Sequence, residues 1–236
     1  MTYTSSISTD VLYPEDDGNR MAENTKQYRW IVIIKENLEI LLANNLDAFI
    51  AGDLLWYPIE GDNITCAAPD VMVILGRPKG DRGSYQQWKE RDIPPKVVFE
   101  IMSPSNTQRE MQSKRSFYET HGVEEFYIYD PEKFRVSGYI RQGGKLLSIV
   151  NMEGWISPSL EIRFSKNNGE LEIYYPDGRR FLTTLELNTR AIAAEEELDL
   201  VTQERDLVIQ ERDLVTQERD RLLVQLRALG IDPEIP

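Results

Sequence analysis

The sequence predicts a mixed α/β domain followed by a long C-terminal coiled-coil helix. Three observations lead there. Apolar runs rich in β-branched and aromatic residues alternate with stretches of helical period. The chain of 236 residues, 41% apolar and 9% aromatic, can fill one packed core of ordinary size and carry an appendage. The C-terminal segment repeats LVTQERD, LVIQERD and LVTQERD from Leu200 with a seven-residue period.

Taken in order, residues 1–24 are polar and rich in turn formers, which predicts a flexible N-terminal arm. From Thr25 to Asn45, Tyr28, Ile31, Val32, Leu38, Leu41 and Leu42 recur at helical spacing and predict a first helix. A strand is expected from about Ala48 to Tyr57 and, after the turn at Gly61–Asn63, a second from Pro69 through VMVIL. RPKGDRGSYQQWKERDIPP then forms a long charged loop with room for a short helix, and loops of that length in a compact domain commonly line sites. VVFEIM, Val97 to Met102, reads as a buried strand, and SPSN breaks it. Thr107 to Thr120 reads as a second helix, opened by the capping-box pattern Thr107-x-x-Glu110 and closed by His121-Gly122. EEFYIYDP is a further strand, and alternating segments near 136–140, 146–150, 160–164 and 171–174 make a β-rich extension. The domain is expected over residues 25–185.

Residues 189–229 contain no Pro or Gly and predict one helix of about 60 Å. Leu200, Leu207 and Leu214 stand one heptad apart, each followed by valine. A solvated charged helix and a self-associating coiled coil both fit the pattern. The heptads point to a homodimer through residues 190–229.

Composition excludes several classes. The single cysteine, Cys66, permits no internal disulfide and no cysteine-rich zinc site, and the single histidine leaves no Ser-His-Asp or Cys-His set with a good candidate. No apolar run approaches a membrane span and no secretory signal pattern opens the chain, so a cytoplasmic protein without a membrane contact is expected. The formal charge is −13, and residues 191–236 hold 12 of the 40 acids but only 5 of the 27 bases. The rest is still acidic, which argues against broad electrostatic binding of nucleic acid but leaves room for a local basic cleft or a metal-bridged phosphate.

The candidate chemistry lies in two acids set among apolar strand residues, Asp70 before VMVIL and Glu100 inside VVFEIM. A carboxylate taken out of water without a partner costs several kcal/mol. Alternation places Asp70, Met72 and Ile74 on one face, and Val98, Glu100 and Met102 on one face of the other strand. If the two strands pair, the carboxylates converge, and such a pair favours a shared proton or a hard divalent cation such as magnesium. The alternatives are a turn aspartate and a glutamate on a solvated edge. Lys114 shares a helical stripe with Met111, Phe117 and Tyr118 and could reach the two acids; it could equally be a surface lysine paired with Glu110. His121 reads as a capping residue; Asp53 and Glu36 could add an outer-sphere ligand, and Arg77, Lys79 and Arg82 could contact phosphates, without a P-loop pattern.

Together, Pro69-Asp70, EIMSPS at 100–105, Lys114-x-x-x-Tyr118 and GVEEFYIYDP from Gly122 resemble the Uma-type family of putative restriction endonucleases, domain of unknown function 820. That family belongs to the PD-(D/E)XK nuclease superfamily, and the resemblance covers about residues 20–180. It implies a restriction-endonuclease-like αβββαβ core. It also implies a metal, Mg²⁺ or Mn²⁺, held by Asp70, Glu100 and the carbonyl of Ile101, with Lys114 in the catalytic set and nucleic acid as substrate, DNA in preference to RNA. The family's usual lysine two residues after the acid is Met102 here, so its role would move to Lys114; Glu110 stands where relatives often carry aspartate. The expected function is a metal-dependent endonuclease. The alternative is a catalytically degenerate nuclease fold that recruits a partner through its coiled coil.

Overall fold

The computed structural model describes residues 11–16, 18 and 21–230. Over half of the expected arm at 1–24 therefore lies outside the described residues. The chain falls into two compact units, Met1–Thr183 and Thr184–Pro236.

In the first unit, α1 (Thr25–Leu41) starts where the Asn24 side chain accepts from the backbone of Lys26 and Gln27. It ends four residues before the expected Asn45, because Ala43 N–H turns back to Ile40 and the chain leaves α geometry. Next come β1 (Ala48–Ala51) and β2 (Trp56–Tyr57). The single strand expected over 48–57 is thus two strands, split at Asp53, whose φ of 50° lies in the left-handed region and cannot continue a strand. After β3 (Val71–Leu75), the charged loop holds β4 (Tyr85–Gln86) and one 3₁₀ turn at Gln87–Glu90. β5 (Val97–Ile101), α2 (Gln108–Thr120) and β6 (Glu125–Asp130) follow as expected to within two residues. The extension supplies β7 (Arg135–Gln142), β8 (Lys145–Ser148), β9 (Arg163–Asn167) and β10 (Glu170–Tyr174). β9 starts three residues later than the pattern suggested, because Glu161 at φ 57° interrupts the apolar run.

Six strands form one mixed sheet in the order β1-β3-β5-β6-β7-β8. Only the β5–β6 pair is parallel, and α2 makes the crossover between them. The helix–strand order of the core, with β2 and β4 as a separate two-stranded pair, is the αβββαβ order expected from the sequence. One face of the sheet packs Ile31, Ile34 and Leu38 of α1 and Phe164, Leu171 and Ile173 of the β9–β10 hairpin on Val71, Val73, Val97 and Phe99. The opposite face packs Met111 and Tyr118 of α2 on Met72, Val98, Met102 and Phe126. Alternation along β3 and β5 divides the two sets, so any side chain in register with Met72 and Val98 faces α2.

The described part of the N-terminal segment touches this unit. Tyr57 Oη donates to Pro14 O, Gly61 N–H donates to Tyr13 Oη, and the Tyr13 ring lies 4.9 Å from that of Trp88.

The second unit contains α3 (Thr184–Ala228), 45 residues of unbroken helix with none buried. No helix among the described residues is long and apolar enough to cross a membrane.

Candidate functional site

The antiparallel register of β3 and β5 pairs Val71 with Phe99 and Met72 with Val98. One step further along the same register, Asp70 stands opposite Glu100. Both lie on the α2 face and both are buried, Glu100 to 1% exposure. They line one cleft of about 950 Å³, together with Gln27, Asp53, Ser103 and Lys114.

Each carboxylate has its own compensation. Glu100 Oε2 takes the Lys114 ammonium at 2.7 Å, and its Oε1 accepts from the Tyr118 hydroxyl. Helical spacing makes this possible: Lys114 and Tyr118 sit one turn apart on α2 and reach the same side chain. Asp70 Oδ2 accepts from the Ile101 backbone N–H at 2.6 Å, whereas its Oδ1 makes no hydrogen bond among the described residues. Burial, and then the neighbouring charge of Glu100, push the Asp70 carboxyl well above its ordinary pKa; the Ile101 bond and Lys114 oppose this only in part. Burial pulls the Lys114 pKa down, but the charge of Glu100 and its hydrogen bond outweigh that, so the ammonium is held above the usual lysine value. Burial, then Glu100, drive the Tyr118 phenol well above its usual range, so it remains a hydrogen-bond donor.

The Ile101 carbonyl also faces a defined partner. Gln27 Nε2, from α1, donates to it at 2.9 Å, while Gln27 Oε1 accepts from the Glu23 backbone. Beside it Glu23 Oε2 accepts from Ser103 Oγ at 2.7 Å and from Ser105 Oγ, which ties the SPSN turn to the start of α1. The SPSN segment that breaks the strand pattern thus forms a wall of the cleft through Ser103 and Asn106. Sequence reasoning passed over Gln27. Its signal is positional: it shares the stripe of Ile31, Ile34 and Leu38, and a glutamine on the apolar stripe of a helix needs a buried partner. Tyr118 appeared there only as part of a motif and a stripe, yet it touches Glu100 directly.

The weaker candidates separate. Asp53 lines the cleft; Glu36 does not, and accepts from Lys35 on the surface of α1. His121 is the C-cap residue of α2, with its ring 4.6 Å from Phe117 and its pKa lowered by burial. Arg77 and Arg82 both bind Glu90, at 2.5 and 2.8 Å, and Lys79 lies 3.4 Å from Glu39. Met102 is packed in the core beneath α2. Glu110 donates its N–H to Thr107 Oγ1, while its carboxylate accepts from Asn106 Nδ2, so it belongs to the start of α2.

Do these groups suit a hard divalent ion? Two buried carboxylates face each other, one keeps an oxygen without a hydrogen bond among the described residues, and burial together with the charge of Glu100 makes Asp70 resist ionisation. Among the described residues no three Asp, Glu, His or Cys side chains are grouped to hold a metal. A two-carboxylate set with a backbone carbonyl is nevertheless the kind of partial shell magnesium accepts, since it retains waters and phosphate oxygens for the rest. The residues fit.

A family model described as "Uma2: Putative restriction endonuclease" matches residues 25–180. Among solved structures, a crystal structure of a "putative nuclease belonging to DUF820" from Anabaena variabilis ATCC 29413 is similar. It is 17% identical with a TM-score of 0.45, over 58% of this chain and 75% of that one. No curated protein matches the chain.

Proposed function

Because the chain belongs to the Uma2 family of restriction-endonuclease-like proteins, we propose that it is a divalent-metal-dependent endonuclease acting on phosphodiester bonds of nucleic acid, DNA in preference to RNA. The observation that carries this reading is the opposed pair of buried acids, Asp70 and Glu100, with a charged lysine in the same cleft. Magnesium or manganese would be held by Asp70, Glu100 and the carbonyl of Ile101. Once bound, such an ion lowers the pKa of water and offsets charge on a phosphate.

The remaining groups have roles that follow from their contacts. Asp70 is anchored by the Ile101 N–H, so its Oδ1 is the oxygen left to bind. Tyr118 fixes the rotamer of Glu100. Gln27 holds the Ile101 carbonyl in one orientation. Lys114 keeps its proton and is placed to stabilise negative charge that builds on a phosphate in the transition state. Residues 190–229 act as an association segment in this reading.

One observation favours a second reading. Both oxygens of Glu100 already have protein partners, so the site is compensated without an ion, as a catalytically degenerate module would be. Cleavage of plasmid, single-stranded DNA and RNA in Mg²⁺ or Mn²⁺, alongside calorimetry of ion binding, decides between them. The nuclease reading expects cleavage that falls by about 10²-fold or more in Asp70→Ala and Glu100→Ala. Ion binding with no cleavage of any substrate would favour the degenerate module. No ion binding at millimolar concentration would sink the metal assignment.

A further inference from the structure

The least explained surface is α3, taken by itself. Leu200, Val201, Leu207, Val208, Leu214 and Val215 recur every seven residues, and each is more than half exposed, from 56% at Val201 to 65% at Leu214. At the 3.5 residues per turn of a coiled coil, the heptad sets Glu204, Glu211 and Glu218 angularly between the leucine and the valine of their repeat. A carboxylate therefore runs down the middle of the apolar stripe. At the C-terminal end of the repeats, a groove of about 300 Å³ is lined by Val215, Leu222, Leu223 and Leu226 together with Glu218 and Arg219.

The arginines of the repeats do not serve these glutamates. Each pairs with the aspartate that follows it: Arg205 with Asp206 at 2.8 Å, Arg212 with Asp213 at 2.9 Å, Arg219 with Asp220 at 2.6 Å. Glu204, Glu211 and Glu218 make no ion pair among the described residues.

A second copy of the helix is a poor occupant. With leucine at heptad position a, glutamate falls at e and aspartate at g. Acid then opposes acid across the seam whether the helices run parallel, e against g, or antiparallel, e against e and g against g. With leucine at d, the glutamate itself enters the a layer. In both registers arginine sits at f or b, on the outer surface. Self-pairing in either of these leucine-centred registers thus desolvates three carboxylates per chain and brings no base to any of them. In these registers a homodimer would bury carboxylates that a basic partner would compensate.

We propose that α3 docks an amphipathic helix of another protein, with leucine or valine at heptad spacing and lysine or arginine flanking that stripe. Charge complementarity selects this occupant: residues 184–228 carry 11 acids against 6 bases, and each repeat arginine is paired with the aspartate that follows it, which leaves the glutamates without a base among the described residues. The Leu-Val pair of each repeat supplies the apolar contact, and Leu222, Leu223 and Leu226 give a denser end that fixes register. Partner basic groups at e and g would meet Glu204, Glu211 and Glu218, the side chains that α3 leaves uncompensated.

The test uses the full chain and two labelled synthetic peptides of three heptads with identical composition. One places leucine at a and d and lysine at e and g; the other scrambles that order. Fluorescence anisotropy should show the heptad peptide binding at least about ten-fold more tightly than the scrambled one, and weakening as salt rises from about 50 to about 500 mM. The variant carrying Glu204→Lys, Glu211→Lys and Glu218→Lys should lose the basic peptide and gain the equivalent peptide with glutamate at e and g. Equal binding of both basic peptides would reduce the surface to bulk charge and overturn the proposal. So would sedimentation showing a dimer of the full chain at neutral pH that the basic peptide fails to dissociate, since the occupant would then be a second copy.

Discussion

Glu100 and Glu125 are both glutamates in apolar strands, both 1% exposed, and they are stabilised by different chemistry. Glu125 accepts from Tyr127 Oη at 2.6 Å, Ser157 Oγ at 2.5 Å and the Ser159 N–H at 2.7 Å, all neutral donors, the last two of which pin the extension to the sheet. Glu100 instead takes a cation and shares a cleft with Asp70. Lys114 is therefore a counter-ion as well as a proposed catalytic group, and its removal should cost on both counts. Lys114→Met leaves Glu100 buried without a counter-ion, with only the Tyr118 hydroxyl as partner. Urea unfolding should show a loss of about 3 kcal/mol, the low end for breaking a buried pair because Lys114 is itself 27% exposed. Its cleavage rate should fall by about 10²-fold, and a variant that cuts as fast as wild type would leave the lysine only its counter-ion role. Asp70 makes the opposite prediction for stability. An acid whose folded-state pKa lies above its unfolded value is penalised for ionising within the fold. That penalty is absent below the ordinary value of 3.8 and grows as pH rises toward the raised value. Without divalent ions, Asp70→Asn should melt higher than wild type at pH 7, by about 2–4 °C per kcal/mol recovered. The advantage should vanish near pH 4, and a lower melting temperature at pH 7 would contradict the burial argument.

At the scale of elements, α2 carries Lys114 and Tyr118 to Glu100, so its start and angle decide the site. Thr107 Oγ1 accepts the Glu110 N–H at 3.2 Å, which forms one half of the predicted capping box. The other half is diverted, because the Glu110 carboxylate accepts from Asn106 Nδ2 at 3.0 Å. Thr107→Ala should lower stability by about 1 kcal/mol, measured by chemical denaturation, with a smaller effect on cleavage than Lys114→Met. Lys114 lies in the second turn, beyond most fraying. The register of β3 on β5 matters more than either strand alone. A slip of one residue would turn Asp70 and Glu100 to opposite faces, and the core pattern of Met72, Ile74 and Val98 on the α2 side prevents it.

At the scale of the whole molecule, both packed clusters lie within residues 31–181 and no residue of α3 is buried. Removal of residues 184–236 should therefore leave a folded first unit, with cleavage unchanged and a melting temperature within about 2 °C of the full chain. Circular dichroism melts and the cleavage assay check it; a truncated chain that fails to fold would show that α3 contributes to the core unit. The cut has to follow Leu182, whose backbone N–H and carbonyl are both held by the Asn37 side chain.

Local pattern was enough for the helix–strand order, the Thr107 cap, the His121 end of α2 and the long α3, because each depends on period and on turn or cap chemistry within a few residues. The shared face of Asp70 and Glu100 was legible for the same reason, through strand alternation. Their meeting was conditional on β3 pairing with β5, which is a contact across some thirty residues and only the tertiary structure decides. The same holds for Lys114: helical spacing offered Glu110 as its partner, and the packing of α2 on the sheet chose Glu100 instead. Asp53 shows the limit from the other side, since a left-handed residue between two apolar runs leaves no mark in hydrophobic period and divided a strand that read as one. Gln27 closes the cleft for a like reason. Its partner is the Ile101 carbonyl, 74 residues away, and a backbone acceptor has no side-chain identity for a sequence to display.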